Sequence, residues 1–292
     1  KIKPCKITWV RPVQPQFFCW RRGVLFGLVL PPPPTPTPIF YFSLSKTASF
    51  FMPFLIPPHI EQPFLPHPAL WADRHGCVAV GGRMTPEWLE NAYRRGIFPW
   101  YMIEQGPVWF SPDPRCVLPP SQVRIHKSMR AIFNQNRFAY SFDACFGQVM
   151  RACAEMPRDG VVESWITQPF IEAYVRMYNL GYGHSVEVWD RGALIGGLYG
   201  LVFGRVFFGE SMFSLRPNAS KAALITLAQV LDRAGFVLID CQQSTPHLQS
   251  LGARDIPRVN FLHVLERHAD GDPYCGRWEY DTEAQELRVL AL

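Results

Sequence analysis

Two apolar segments that both end in polar groups constrain this chain most. They are FFGESMFS, residues 207–214, and LIDCQ, residues 238–242. Both are typical of β-strands, and strands lying side by side in a sheet would bring Glu210, Asp240 and Gln242 together at one end. The sequence therefore predicts a site with an apolar floor, which holds an apolar molecule by a polar, reactive end.

A longer series of motifs resembles one known family, the leucyl/phenylalanyl-tRNA–protein transferases. The resemblance covers residues 63–265. The motifs, in chain order, are GGRMTPEWLENAYRRGIFPWY, WFSPDPRCVL, HSVEVWDRGALIGGLYG, FFGESMFS, NASKAAL, LIDCQ and SLGARDIPR. The resemblance implies a larger domain of the acetyltransferase-type (GNAT) fold, which follows a small N-terminal domain.

The predicted elements allow such an α/β (α+β) fold. Pro119-Pro120 suggests a boundary between a small domain, residues 52–120, and a GNAT-like catalytic domain, residues 121–292. In the small domain, Thr85-Pro86 predicts a helix start and Gly96 its end, and the Pro-rich aromatic stretches 98–100 and 109–114 predict turns. Periodicity predicts helices at 127–133, 142–156, 169–180, 220–234 and 246–251, and strands at 185–189, 194–202, 205–209 and 236–241.

Residues 1–51 differ from the rest of the chain. They contain nine prolines, and the first Met of the chain is Met52. The apolar run 23–30 is shorter than the about 20 residues that a membrane helix needs. We expect residues 1–51 to be translated upstream sequence or a disordered Pro-rich tail. We expect no membrane association.

The charge distribution excludes a broad nucleic-acid-binding surface. Of 29 Lys and Arg in the chain, seven lie in residues 1–51, where there is no Asp or Glu. The rest of the chain therefore carries 22 basic and 24 acidic side chains. A protein that binds RNA through its whole surface would be basic throughout, so any RNA contact must come from a local patch.

Cysteine spacing and nucleotide motifs predict neither a metal nor a cofactor. The eight cysteines form no C-x-x-C pair, and we expect reduced thiols in a cytoplasmic protein. His-Glu-x-x-His, a phosphate-binding P-loop and Gly-x-Gly-x-x-Gly do not occur. The cysteines are Cys5, Cys19, Cys77, Cys116, Cys145, Cys153, Cys241 and Cys275.

The resemblance implies catalytic roles for Asp240 and Gln242. Because they are two residues apart on a strand, both side chains should face one side of the sheet. Asp240 would orient Gln242 or take a proton, and Gln242 would polarise or position an ester; which group moves the proton stays open. The alternative is a carboxylate at the edge of the sheet and a surface amide.

Glu210 would bind the α-ammonium of an amino acid or the cationic end of an acceptor. The alternative is a buried carboxylate satisfied by backbone donors or by Arg205. Ser211 is not a nucleophile of the Gly-x-Ser-x-Gly type, because Phe213 stands where that motif needs glycine.

Other positions match the binding residues of the family. Trp100 and Trp165 match the aromatic residues that sandwich the terminal adenine of tRNA. Arg124, Lys127 and Arg130, at intervals of three, would form a basic patch on one helix face for acceptor-stem phosphates. Core tryptophans and a solvated helix face are the alternatives. Residues that match the amino-acid pocket, and are otherwise plain core, are Leu198, Phe207, Gly209, Leu224 and Leu227.

The function implied by the resemblance is transfer of Leu or Phe, and by pocket shape Met, from aminoacyl-tRNA to proteins with N-terminal Arg or Lys, which marks them for degradation. One alternative is an acyl-CoA N-acyltransferase, although residues 249–254 place Arg254 where its pyrophosphate loop needs a small residue. A non-catalytic binder of tRNA or of protein N-termini is the other. A monomer is expected, because no exposed heptad pattern occurs.

Overall fold

Two separate β-sheets organise the protein in the computed structural model, which describes residues 53–156 and 164–292 and the backbone of Thr8 and Trp9. The strands are β1 Thr8–Trp9, β2 Phe54–Ile56, β3 Cys77–Gly81, β4 Phe98–Ile103, β5 Gly106–Phe110, β6 Arg115–Leu118, β7 Ala139–Phe142, β8 Gly183–Asp190, β9 Ala193–Phe203, β10 Val206–Ser214, β11 Leu238–Gln242, β12 Arg254–Ile256, β13 Arg277–Asp281 and β14 Glu286–Leu290. The helices are α1 Pro68–Trp71, α2 Pro86–Arg94, α3 Lys127–Asn134, α4 Phe146–Glu155, α5 Gln168–Asn179, α6 Ala219–Arg233, α7 Pro246–Ser250 and α8 Arg258–His268, with a 3-10 turn at Pro120–Gln122.

The smaller sheet has the strand order β2-β3-β5-β4. It corrects the prediction of turns at 98–100 and at 109–110, because these residues belong to strands β4 and β5, which pair Phe98 with Phe110. Residues 111–114 form no strand and connect β5 to β6, which agrees with the predicted turn. Trp109 is fully buried and donates its indole N–H to Gly81 O at 2.8 Å. Since β4 is an edge strand, Pro99 is tolerated within it.

Helix α2 joins this sheet to the rest of the protein. It starts after Thr85 and ends before Gly96, whose φ of 73° is left-handed, as predicted. The Thr85 hydroxyl donates to Glu87 at 2.6 Å and makes no cap bond to the backbone. The buried face of α2 consists of Trp88, Leu89, Ala92 and Tyr93.

The larger sheet has the order β1-β7-β8-β9-β10-β11-β6-β12. Strands β7 to β10 are antiparallel neighbours, helices α4 and α5 lie between β7 and β8, and α6 connects β10 to a parallel β11. The α/β class with a separate N-terminal sheet is confirmed, and the element order is compatible with the acetyltransferase-type fold that the family resemblance implies. Adjacent Phe207 and Phe208 point into different cores, one with α3 and α6, the other with α4, α5 and the smaller sheet.

Other expectations need correction. The predicted helix 142–156 begins only at Phe146, because Phe142 ends strand β7. Strand β6 precedes Pro119-Pro120 yet pairs with β11 and β12 of the larger sheet. The chain therefore passes from the smaller to the larger sheet between Phe110 and Arg115. The division at residue 120 stays a prediction. Expectations for residues 1–51 fall outside the described residues, apart from Thr8–Trp9, whose backbone pairs with β7.

A buried polar cluster lies beneath the β13–β14 hairpin, which the sequence did not predict. His184 stacks on Trp278 with ring centroids 3.8 Å apart. Glu187 is fully buried and accepts hydrogen bonds from the hydroxyls of Ser141 at 2.6 Å and Ser185 at 2.5 Å. Burial raises the pKa of Glu187 to about 7.

In the described ranges, no helix has both the length and the apolar character needed to span a bilayer.

Candidate active site

The site forms where the two central strands of the larger sheet diverge. Strands β10 and β11 pair in parallel up to Phe208 and Asp240. Beyond that point each strand is irregular: the register of β10 shifts between Gly209 and Ser211, and that of β11 shifts between Asp240 and Gln242. The gap between the strands places side chains from both of them at one end of the sheet, as the sequence predicts.

Glu210 is the centre of a hydrogen-bond network. Its Oε1 accepts from the Tyr93 hydroxyl at 2.7 Å and from Gln242 Nε2 at 2.9 Å, and its Oε2 accepts from the Tyr174 hydroxyl at 3.0 Å. Arg205, the partner considered from the sequence, does not contribute; it is joined through its backbone to His268. Sequence reasoning missed both tyrosines, which come from α2 and α5.

The protonation state of Glu210 follows from burial and from the geometry of the phenols. Burial raises the pKa of Glu210 to about 7. The hydrogen bonds from the two phenols act in the opposite direction and lower this pKa. The hydroxyls of Tyr93 and Tyr174 also lie 2.5 Å apart. With Glu210 ionised, the two phenol hydrogens can satisfy only two of these three contacts, and protonation of Glu210 would supply a hydrogen for the third. Burial and the neighbouring carboxyl raise the pKa of both phenols well above the usual range.

Gln242 lies in a left-handed backbone conformation, with φ of 61°. Its backbone N–H donates to Asp240 Oδ1 at 2.9 Å. The strict alternation that we used to place Asp240 and Gln242 on one side does not hold, because the shift in β11 falls between them. Asp240 is fully buried, whereas Gln242 lines a cavity.

Asp240 is paired with Arg115, a residue that was not among the predicted site residues. Arg115 donates to it through Nε at 2.8 Å and Nη2 at 2.6 Å, and both side chains are fully buried. The two residues are 125 positions apart in the chain. Both carboxylate oxygens of Asp240 are therefore engaged, one by Arg115 alone and the other by Arg115 and Gln242.

An apolar pocket of about 310 Å³ lies on the side of the sheet that packs against α6. All five predicted pocket positions line it, together with Glu210: Leu198, Phe207, Gly209, Leu224 and Leu227. Lining residues that were not predicted include Met212, Ile239 and His247. The pocket has the size and chemistry of a site for a single apolar side chain.

A second, aromatic cavity of about 510 Å³ lies towards the smaller sheet. Trp100 and Trp165 both line it, with Gln242. Trp100 packs edge-on against Phe110 with ring centroids 4.8 Å apart, and Trp165 packs in the same way on Phe170 at 5.5 Å. Residues that line both cavities, at the gap between β10 and β11, are Glu210, Cys241, Thr245 and Leu248.

The predicted basic residues are exposed next to this site, but only partly on one helix. Lys127 and Arg130 belong to α3, whereas Arg124 precedes it and donates its backbone N–H to Leu251 O at 2.8 Å. The segment is further held to α7 by His126 Nε2, which lies 2.7 Å from Ser250 O. The expectation of a single helix face is therefore wrong for Arg124.

The structure lacks the features of the other chemistries considered. The glycine-containing segment 249–254 ends α7 and enters β12, so it does not form a loop at the start of a long helix. All six cysteines in the described ranges are free thiols. Those ranges also contain no group of three or more residues that could hold a metal ion.

A sheet that opens between two of its strands, with a polar network beside an apolar pocket, suits an enzyme that transfers an apolar acyl group. Family models agree: the leucyl/phenylalanyl-tRNA protein transferase model matches residues 117–266, and the model of that family's N-terminal domain matches residues 82–113. The chain belongs to the leucyl/phenylalanyl-tRNA–protein transferase family and is an enzyme of the transferase class.

Individual relatives give the same result. The leucyl/phenylalanyl-tRNA–protein transferase of Aromatoleum aromaticum is 50% identical over 213 residues, which are 73% of this chain and 90% of the relative. That of Azoarcus sp. is 48% identical over 79% of this chain and 98% of the relative. A GCN5-related N-acetyltransferase from Kribbella flavida matches at 11% identity over 56% of this chain and 58% of its own, with a TM-score of 0.30, too low to add weight.

Proposed function

We propose that this protein transfers leucine, phenylalanine or methionine from aminoacyl-tRNA to the α-amino group of an N-terminal Arg or Lys, and thereby marks the acceptor protein for degradation. The observation that supports this most is the pair of cavities that meet at Glu210. One suits an apolar side chain and the other suits a stacked base, which are the two ends of an aminoacylated terminal adenosine.

The donor would span the gap between β10 and β11. Its adenine would stack between Trp100 and Trp165, a contact worth roughly 1–3 kcal/mol per base that requires no particular base sequence. Its side chain would enter the apolar pocket, and ionised Glu210 would bind its α-ammonium by a charge-assisted hydrogen bond. Phosphates of the acceptor stem would contact Lys127 and the neighbouring arginines.

Gln242 would orient the attacking amine. Its Nε2 is engaged by Glu210, so the amide oxygen is the end available to accept a hydrogen from the acceptor amine. The neutral amine nitrogen would then attack the ester carbonyl carbon, and the bond from that carbon to the ribose oxygen would break.

The proton would leave with the ribose oxygen. Asp240 is fully buried and its carboxylate is held by Arg115, so in this proposal it positions Gln242 and takes no proton from the substrate. An amide oxygen is too weak a base to keep the proton, and the departing alkoxide is a strong one. The amine therefore loses its hydrogen to the leaving ribose oxygen, which departs as a hydroxyl.

Shape would decide which amino acid is transferred. The pocket is bounded by Leu198, Phe207 and Leu224, which can sense only apolar volume. Such a pocket separates side chains that differ by one methylene by only about 1–3 kcal/mol. Unbranched or γ-branched side chains are therefore accepted, whereas the β-branched Ile and Val fit less well.

The decisive experiment measures transfer of labelled leucine from Leu-tRNA to a peptide that begins with Arg. A peptide that differs only by an N-terminal Ala is the control. Transfer to the Arg peptide alone supports the donor and the acceptor rule together. Transfer to both peptides refutes the acceptor rule, and transfer to neither, by a folded protein that binds the tRNA, favours a binding protein. Saturable binding of an acyl-CoA would revive the rival acyltransferase.

The remaining organisation is also a proposal. We take residues 52–120 and 121–292 as the two functional domains, and a cytoplasmic monomer as the working form. Size-exclusion chromatography with light scattering measures the oligomeric state, and a dimer mass would overturn the second statement.

A further inference from the structure

We infer that Arg115 is a positioning residue for the transfer reaction. Its side chain would hold Gln242, at the end of β11, and Tyr93, on α2, in fixed positions relative to each other. The inference rests on the proposed function, because it assigns Arg115 a part in the same chemistry. Arg115 itself lines neither cavity, so it would act only through the residues that it contacts, one of which, Phe98, belongs to the wall of the aromatic cavity.

The guanidinium of Arg115 is fully enclosed by specific contacts. Besides its two bonds to Asp240, it donates through Nη1 to Gly96 O at 3.1 Å. It also lies over two aromatic rings, 4.9 Å from the centroid of Phe98 and 4.5 Å from that of Phe261. A buried cation with this set of partners has one preferred position.

Each polar contact fixes a segment that carries a site residue. Gly96 directly follows α2, which brings Tyr93 to Glu210. Asp240 holds the backbone N–H of Gln242, whose left-handed φ is an unfavourable conformation for a residue other than glycine. One guanidinium thus connects the end of α2 to the irregular end of β11.

Lysine cannot reproduce this geometry. An ammonium is a single point of charge, whereas the contacts to Asp240 and Gly96 use three nitrogens of one planar group. Arg115→Lys therefore keeps the charge beside Asp240 and loses the link to Gly96 or one of the two carboxylate bonds. The variant would therefore shift the segments that Arg115 holds, while the positive charge beside Asp240 is kept.

The chain contains a matched pair elsewhere. Arg94 donates through Nη2 to both oxygens of Asp272, at 2.9 and 2.7 Å, donates through Nη1 to Ala269 O, and lies 4.9 Å from the ring of Phe203. Like Arg115, it binds a carboxylate, a backbone carbonyl and an aromatic ring, although its side chain is partly exposed and its Nε also donates to Glu90 at 3.0 Å. Its hydrogen-bond partners Glu90, Ala269 and Asp272 line neither cavity, which makes Arg94→Lys a control for stability alone.

The test compares wild-type protein, Arg115→Lys and Arg94→Lys in the leucine transfer assay, with thermal unfolding of each. A displacement of about 1 Å at a reacting group costs on the order of 100-fold, so we expect kcat of Arg115→Lys to fall by about that factor. KM for aminoacyl-tRNA should stay within about threefold, because the contacts of Arg115 are to Asp240, Gly96, Phe98 and Phe261 and include neither stacking tryptophan nor a residue of the apolar pocket. Arg94→Lys should lower Tm and keep kcat.

Clear outcomes would overturn the inference. They are a kcat of Arg115→Lys close to wild type, a change in KM alone, or equal losses of kcat in the two variants at equal Tm. If Arg115→Lys does not fold, Arg115→Met combined with Asp240→Asn removes both buried charges, and full kcat in that variant refutes the inference. Inactive wild-type protein would instead refute the proposed function on which the inference depends.

Discussion

Replacing Glu210 by glutamine tests whether the site is switched on by loss of one proton. Glu210 in the resting protein has a pKa of about 7, raised by burial from 4.5. The shift corresponds to roughly 3 kcal/mol disfavouring the ionised form, an upper bound because part of the side chain faces the cavity. Only the ionised form can attract the donor α-ammonium.

The expected change in kcat/KM follows from the fraction of Glu210 that is ionised at each pH. A group with a pKa of 7 is roughly one tenth ionised at pH 6 and nine tenths ionised at pH 8. If ionised Glu210 binds the donor, kcat/KM gains about ninefold over this interval from Glu210 alone. At pH 8, Glu210→Gln loses a charge-assisted hydrogen bond worth about 1.5–3 kcal/mol, so kcat/KM should fall by about 10- to 150-fold.

The assay is the ratio of kcat/KM between wild type and Glu210→Gln at each pH. The acceptor α-amine also titrates, near pH 8, and would raise the rate of both proteins alike. Dividing the two profiles removes this common effect. A ratio that stays constant from pH 6 to pH 8 refutes the role of the carboxylate, however inactive the variant is.

Glu187 provides the matched control. Its pKa is also raised to about 7 by burial, but it lies among Ser141 and Ser185, away from both cavities. A raised carboxyl pKa gives stability that is fully present below pH 4.5 and is lost as the pH rises through 7. In urea titrations, Glu187→Gln and Glu210→Gln should each reduce the dependence of the free energy of unfolding on pH. Only Glu210→Gln should reduce the dependence of kcat/KM on pH.

Three further substitutions test the binding surfaces. Trp165→Ala removes one stacking face worth roughly 1–3 kcal/mol, so KM for aminoacyl-tRNA should rise by about 5- to 150-fold; an unchanged KM would argue for a purely structural tryptophan. Lys127→Ala should weaken tRNA binding and reduce the slope of log K against log salt by about 1, and an unaltered slope means no phosphate contact. Leu224→Ala enlarges the apolar pocket and should raise the preference for Phe over Leu by about tenfold in paired transfer assays, whereas an unchanged ratio places Leu224 outside the selecting wall.

The sequence predicted those parts of the site whose signals are local. The apolar run before Glu210, the helical periodicity of 220–234 and the short run before Asp240 each give the element type without knowledge of the rest of the chain. The five pocket positions were implied by the family resemblance, because on their local pattern alone these residues are plain core.

The missed features depend on contacts between distant segments. Tyr93, Tyr174 and Arg115 come from α2, α5 and β6, and no local pattern connects them to Glu210 or Asp240. The prediction of turns at 98–100 and 109–110 failed because aromatic residues are typical of strands and the edge strand β4 tolerates Pro99, whereas proline beside aromatic residues was taken as a turn signal. The irregular end of β11 could not be predicted from a period of two residues.

The shared wall between the two cavities limits how this enzyme can be re-engineered. Cys241 and Leu248 border both spaces, so under the proposed function a substitution there would alter the fit of the amino acid and of the nucleotide at once. Any effect of one bound group on the affinity for the other would be reciprocal. A variant selected for a new amino acid would then carry a changed preference for the tRNA end, unless its substitutions stay at the far side of the pocket.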